Sequence, residues 1–462
     1  MELDHVGSET FECEISEDIK NENKKCFLHY KEELKYHSVV LLEIINFEDF
    51  EDFINGLNKL YTHSNEVDKI NIEKIEEMLR SEIKLFQWWS LPLPLITNSR
   101  LKAKLPFGIY HDLGSYINEI NITLYGILPS MVILQIHVDL NFTFSDKINQ
   151  VLYKLHNETV DTIKTPKINY TKRISPKECK EAEIRDLRCS IKNQAIKFFS
   201  EYFEGYFFKL YKSKPSVVPS IDIFSFTYPI ADNDIIKWEK NMNDFFECFS
   251  TDISPDTSFK HDRYLLSREK YLESNFNNYL MFANRECPNC PEFSDFDNSI
   301  EVQIRDCSFE LLAFDRLMDI QKNVVGTFNE MISKEIRYLE SDKLNKAFEN
   351  RKALNSKLFY FDRFKIEFKQ YMKNDFQTNK FNFVNITGNN DFFNNIIKNI
   401  DFRIIETDNL IKTFTKHSNS ILELKNIEYT KKTQDRVLFL TIVVVILTLV
   451  QIYLAFINNP KM

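Results

Sequence analysis

The sequence predicts an α+β, mostly helical protein: an N-terminal mixed α/β domain, a long helical or coiled-coil stalk, and a single C-terminal transmembrane helix. Three observations predict it. Val437 to Ile457, VLFLTIVVVILTLVQIYLAFI, runs for 21 residues without a charged side chain. A helix rising about 1.5 Å per residue covers roughly 30 Å over that length, the depth of a bilayer's hydrocarbon core. Ahead of it, from Leu311 on, apolar residues recur at alternating three- and four-residue spacing, the pattern of long packed helices. Earlier still, HSVVLLEIIN and MVILQIHVDL have the content and period of strands. The boundaries that follow are a polar segment 1–36, an α/β domain 37–307, a stalk 308–436, the membrane helix 437–457 and a tail 458–462.

Composition agrees. The chain has 462 residues, of which 43% are apolar and 41 are Phe, enough to fill a large core. Eight Gly and 13 Pro are few, and scarce turn residues favour long helices over many short strands. A net charge of −9 argues against a nucleic-acid partner, which needs a basic surface to neutralise phosphates.

Taken in order, residues 1–36 are polar and acidic, with little local order expected at the extreme end. His37 to Asn46 reads as a strand buried on both faces. Phe47 to Tyr61 places Phe50, Phe53, Ile54, Leu57 and Leu60 on one helical face, and Ile70 to Phe86 is a second amphipathic helix. WWSLPLPLI, broken by prolines, reads as a connector. Asn118 to Asn141 is a β-hairpin turning at Leu128-Pro129-Ser130. In its second arm Gln135, His137 and Asp139 alternate with apolar residues, the period of a half-buried strand with a solvated face. His137 beside Asp139 is the sharper alternative, a ligand pair.

Ser145 to Leu155 is a short helix, Val160 to Ser175 a polar linker, and Ile184 to Tyr211 a helix with a core-facing aromatic stripe. Lys214 to Pro229 contains a strand at Ile221, Ile223 and Phe226. Helices are expected at Ile235 to Phe249 and near Arg268 to Phe282, and a short strand at SIEVQIRD. Three helical seams follow, the last starting after NITGNND and free of Gly and Pro from Asn390 to Asn459. That helix can enter the membrane without a break, as a rod on the order of 100 Å long.

The eight cysteines are too sparse for a disulfide scaffold. Only Cys287 and Cys290 are close in sequence. A zinc site there would need two more ligands, with Cys307 and His261 nearest. A redox dithiol and plain loop thiols are the alternatives, and the last is the simplest, so no cofactor is expected. No glycine-rich phosphate loop, His-Glu-x-x-His pair or nucleophile elbow occurs, and no catalytic residue is assigned.

Lys431, Lys432 and Arg436 flank the apolar run on its N-terminal side, and only Lys461 follows it. Basic residues tend to stay cytoplasmic, and the acidic start MELDHVGSET shows no secretory signal. The expected arrangement is a single pass through the cell (inner) membrane with the N-terminal domain in the cytoplasm, where its cysteines stay reduced. Within the span, Thr441, Thr448 and Gln451 lie near one face with Ala455. Polar groups in lipid seek partners on neighbouring helices, so homo-oligomer contact is the simpler use of this stripe and lining a narrow pore the sharper one.

An α/β head, long helices and a helix that passes into the membrane near the C-terminus resemble the CorA family of magnesium channels. Locally, NITLYGILPSMVILQIHVDL is similar to the strand pair of that family's head, and TQDRVLFLTIVVVIL to the approach to its first membrane helix. The family's Gly-Met-Asn signature and second span do not occur here, so no filter residue is carried over. Two functions are compatible with these readings: a membrane-anchored scaffold or sensor that oligomerises through its stalk, and a divergent CorA-like cation channel. The expected partners are the bilayer, further copies of the chain and an unidentified protein docked on the head.

Overall fold

Leu34 to Asn46 forms the strand around which the N-terminal part is built, β1. The computed structural model describes residues 15–28, 34–62, 73–77, 89–100, 109–164, 169–211, 218–226, 242, 244–251, 258–261, 264–269, 278–283, 309–341, 344–373, 383–386, 388 and 391–458. Among these, eleven strands make one mixed sheet in the order β13-β10-β11-β12-β9-β1-β6-β5-β3-β4, with β2 also on β5. The strands are β2 Trp89–Pro92, β3 Ile96–Asn98, β4 Ile109–His111, β5 Ile117–Leu128, β6 Met131–Leu140, β9 Ser220–Phe226, β10 Ser258–His261, β11 Tyr264–Arg268, β12 Asn278–Ala283 and β13 Val384–Asn385. A separate hairpin joins β7 Thr159–Lys164 to β8 Asn169–Ile174. β9 pairs with β12 and β3 with β4 in parallel; the other pairs are antiparallel.

The helices are α1 Glu17–Lys25, α2 Phe50–Leu60, α3 Phe142–Tyr153, α4 Pro176–Ser200, α5 Tyr206–Tyr211, α6 Glu310–Glu340, α7 Leu344–Lys373 and α8 Phe392–Asn458. The chain divides into two compact units, Met1–Asp319 with Arg363–Asp401, and Ile320–Asp362 with Phe402–Met462. Residues of α6, α7 and α8 belong to both. In the second unit, Asn350 donates to the Met331 carbonyl at 2.7 Å and Arg351 pairs with buried Glu335 at 3.4 Å. These contacts fold α7 back along α6 as a helical hairpin.

β1 is buried along almost its whole length because β6 and β9 flank it and side chains cover both faces. α2 buries Phe50, Phe53, Ile54, Leu57 and Leu60, the face that its spacing predicts. β6 departs from expectation. It is not half-buried: Gln135 and His137 are enclosed, and the His137 imidazole hydrogen-bonds the Ser38 hydroxyl at 2.7 Å. Asp139 accepts from the Asn118 side-chain amide at 3.1 Å. Alternation records the strand's period, whereas cover on the second face comes from elements distant in sequence.

Other expectations change for similar reasons. The N-terminal segment holds α1, capped by Ser16 and pinned where Asn23 exchanges hydrogen bonds with the His156 backbone at 2.9 Å. The proline-broken connector contains β2 and the start of β3, and Pro92 is tolerated where β2, among the described residues, pairs with β5 alone. The linker at 160–175 is the β7–β8 hairpin, whose polar residues leave no apolar face to read. The helix placed near Arg268 to Phe282 is instead β11 and β12, joined through residues outside the described set. Most of the helix expected at Ile70 to Phe86, and the strand at SIEVQIRD, also lie outside the described residues. The helix expected at Ile235 to Phe249 is described near its end, where 244–247 is helical.

The helix expected at Ile184 to Tyr211 starts earlier, at a Ser175–Glu178 capping box with Pro176 in its first turn, and breaks before Gly205. Glu43 of β1 explains the break. Its carboxylate accepts from the backbone N–H groups of Phe207 at 2.7 Å and Phe208 at 2.6 Å, which closes the start of α5. A Cβ on Gly205 would fall 2.5 Å from the Glu43 carboxyl carbon, so only glycine lets the chain pass this close. Burial pushes Glu43 from 4.5 up to about 8, although three backbone donors oppose the rise. The folded state therefore keeps a proton that the unfolded chain releases above 4.5. This contribution to stability is full below pH 4.5 and is lost as pH rises to about 8. Glu43→Gln flattens the pH dependence of the urea midpoint across that window and lowers stability at pH 5 by about 1 kcal/mol, because one acceptor is lost.

Candidate functional site: the apolar end of α8

α8 begins packed. Phe392, Ile396 and Ile400 are buried, and the Phe392 ring lies 4.8 Å from that of Phe259 and 5.3 Å from that of Tyr279. With no Gly or Pro to interrupt it, the helix continues for 67 residues. Glu428 pairs with Lys425 at 2.9 Å and with Lys432 at 3.0 Å, a ladder of opposite charges along the helix surface. Beyond Arg436 the side chains turn apolar, and none of the most apolar window of Leu422–Leu454 is buried. Phe439 is 66% and Leu449 60% exposed. By length and composition this largely apolar helix, which no other part of the described residues covers, is long enough to cross a membrane.

The stripe predicted within this segment takes a definite form. The Thr441 hydroxyl donates to the Val437 carbonyl and the Thr448 hydroxyl to the Val444 carbonyl, each at 2.8 Å. Each threonine so satisfies its own donor inside the helix and keeps an outward-facing acceptor. Gln451 is exposed, with both a donor and an acceptor on offer. At about 100° per residue the three lie within an arc of roughly 80°, on one side of the helix.

The N-terminal part holds a second concentration of charge that the sequence does not announce. Arg188 of α4 donates to the Asp222 carboxylate at 2.8 Å and to Glu269 at 2.9 Å. Lys192 reaches Asp222 at 2.9 Å, and the Tyr36 hydroxyl donates to its other oxygen at 2.6 Å. Arg188 and Asp222 are enclosed completely. Burial alone would raise the Asp222 carboxyl, but Arg188 and Lys192 outweigh it and hold the group below the usual carboxylate range. Burial, with Asp222 alongside, pushes the Tyr36 phenol well up. Two cations face two carboxylates, so the cluster neutralises itself and ties α4 to β9 and β1. The one sequence signal is a lone acid in an apolar strand, Asp222 in SIDIFSF, which matches Glu43 in VVLLEIIN.

No protein-family model, curated protein or solved structure matches the chain.

The weak metal candidates Cys287, Cys290 and Cys307 lie outside the described residues. His261 is described, on β10. Among the described residues there is no cluster of three or more His, Cys, Asp or Glu that could hold a metal ion.

Proposed function

We propose that this protein is a membrane-anchored scaffold or sensor, fixed to the bilayer by α8 and self-associating through its long helices. The observation that carries the reading is the uncovered apolar end of α8, continuous in one helix with residues buried in the N-terminal unit. Lipid is the cover that such a surface requires. The basic flank Lys431, Lys432 and Arg436 favours the head on the cytoplasmic side of the cell (inner) membrane. Self-association is supported by the stripe Thr441, Thr448 and Gln451 and by large apolar side chains left exposed on α7 and α8, among them Phe348, Phe359, Phe402 and Leu424. An unidentified protein docked on the head completes the scaffold reading; no catalytic step and no cofactor belong to it.

The test is the size of the detergent-extracted full-length protein, by light scattering, and the ion permeability of liposomes that contain it. The scaffold reading expects a stable oligomer without conductance. Gln451→Leu then weakens association by at most about 1 kcal/mol, or up to about fivefold in the dissociation constant. A monomer at micromolar concentration overturns self-association. A second reading, a divergent CorA-like cation channel, draws on the outward acceptors of Thr441 and Thr448 beside Gln451. It expects cation flux that falls when Gln451 is replaced by Leu.

A further inference from the structure

α1 is pinned to the rest of the N-terminal unit through one residue. The Asn23 amide donates to the His156 carbonyl and the His156 N–H donates to the Asn23 side-chain oxygen, each at 2.9 Å. Just past the helix, the Phe27 ring lies 5.3 Å from that of Tyr153 at the end of α3, and the Lys180 ammonium sits 5.0 Å from the same Phe27 ring. α1 and Phe27 form a strap over the end of α3 and the residues that follow it. On the strap's inner side Asn23 and Cys26 are fully enclosed, and His156 beneath it is 7% exposed.

The His156 ring is poorly placed to hold a charge. Its Nε2 is enclosed and has no hydrogen-bond partner among the described residues. Enclosing a neutral nitrogen without a partner costs far less than enclosing a charged N–H in the same place. The charges around the ring do not make up the difference. From α4 comes Lys180, wholly buried, whose ammonium donates to the carbonyls of Lys154 at 2.6 Å, Val151 at 3.4 Å and Leu152. Glu183 of α4 lies 3.7 Å from Nδ1, but it is partly exposed and already pairs with Lys154 at 3.3 Å. Cys179 of α4 lies against the Asn157 carbonyl at 4.0 Å, and burial keeps its thiol protonated. On α1 the charged side chains are exposed, save Lys20, which pairs with Glu17 at 3.4 Å, and the Cys26 sulfur faces the Glu22 carbonyl. Glu158, next along the chain, is exposed. Burial holds the imidazole below its usual 6.5; Glu183 opposes this, and Lys180 and Lys154 reinforce it.

We propose that His156 is an acid-sensitive catch: when the ring takes up a proton, α1 lifts from the end of α3, and when the proton leaves, the strap closes again. With α1 lifted the ring meets water and titrates near 6.5; with α1 docked it resists the charge. Docking therefore has its full strength above pH 6.5 and weakens as pH falls below that value. The two pins use the His156 main chain and an asparagine, neither of which titrates, so they are ready to re-form at neutral pH. The window is opposite in sign to that of Glu43, whose contribution grows as pH falls.

The experiment follows amide hydrogen exchange in the full-length chain in detergent, read by mass spectrometry on peptides that span α1. Labelling is done at about pH 8 and about pH 5, with times scaled to the intrinsic pH dependence of exchange. Exchange in α1 is expected to rise roughly fivefold or more at the lower pH, while a peptide from β6 stays protected. In His156→Gln, which keeps both main-chain pins and carries no charge, α1 is equally protected at both pH values. In Asn23→Ala, which removes the pins, α1 exchanges fast at both and marks the lifted state. A second readout needs no variant: the slow exchange of the His156 ring C2 hydrogen reports its protonation, and its midpoint coincides with that of α1 release. The proposal is overturned if wild-type α1 is equally protected at both pH values, if the two midpoints differ, or if His156→Gln loses α1 protection on acidification as the wild type does.

Discussion

Two arginines placed in the middle of the apolar run, Val444→Arg with Leu447→Arg, release the protein from carbonate-washed membranes. The wild-type chain stays in the pellet. Val444 and Leu447 are largely exposed, with no protein to shelter a new charge. An arginine at the centre of a membrane helix costs about 2.5–3.5 kcal/mol, so the pair removes roughly 5 kcal/mol or more of insertion energy. A chain ending at Lys432 should behave the same way, because it lacks the span while keeping the charged ladder at Glu428. Lys461→Ala changes nothing measurable, since it lies beyond the apolar run. Wild-type protein in the carbonate supernatant would falsify the anchoring reading altogether.

Asp222→Ala is the most damaging single change expected in the N-terminal unit. It strips Arg188 and Lys192 of their shared carboxylate, removes the acceptor of Tyr36, and leaves Glu269 as Arg188's remaining carboxylate partner. Breaking a buried pair from one side costs about 3–5 kcal/mol, because the other charge stays enclosed. The thermal midpoint of the detergent-solubilised chain should fall by on the order of 10 °C. Removing both charges at once, as Arg188→Met with Asp222→Leu, recovers more than half of that loss, since Lys192 and Glu269 remain to balance. If Asp222→Ala proves as mild as a surface substitution, the cluster does not clamp α4 to β9.

Much of the architecture is legible in local spacing. The strand at 37–46, the hairpin turning at Pro129-Ser130, the buried face of α2 and the long helices after Cys307 all follow from periods of two or 3.6 residues. Two signals were present but faint. Ser175-Pro176-Lys177-Glu178 is a capping box that marks the start of α4, and lone acids in apolar strands mark Glu43 and Asp222. The β7–β8 ribbon had no such mark, because polar residues on both faces erase the alternation.

What the sequence by itself determined is therefore what a helix or strand can do alone: its period, its length against a bilayer, and the charge that flanks it. Only the tertiary structure decided that His137 is enclosed with Ser38, that Glu43 closes the start of α5, and that Arg188 and Lys192 neutralise Asp222 and Glu269. Burial and pairing depend on partners distant along the chain, and the free energy of a charge or a thiol depends on how much water and which counter-charge those partners leave beside it.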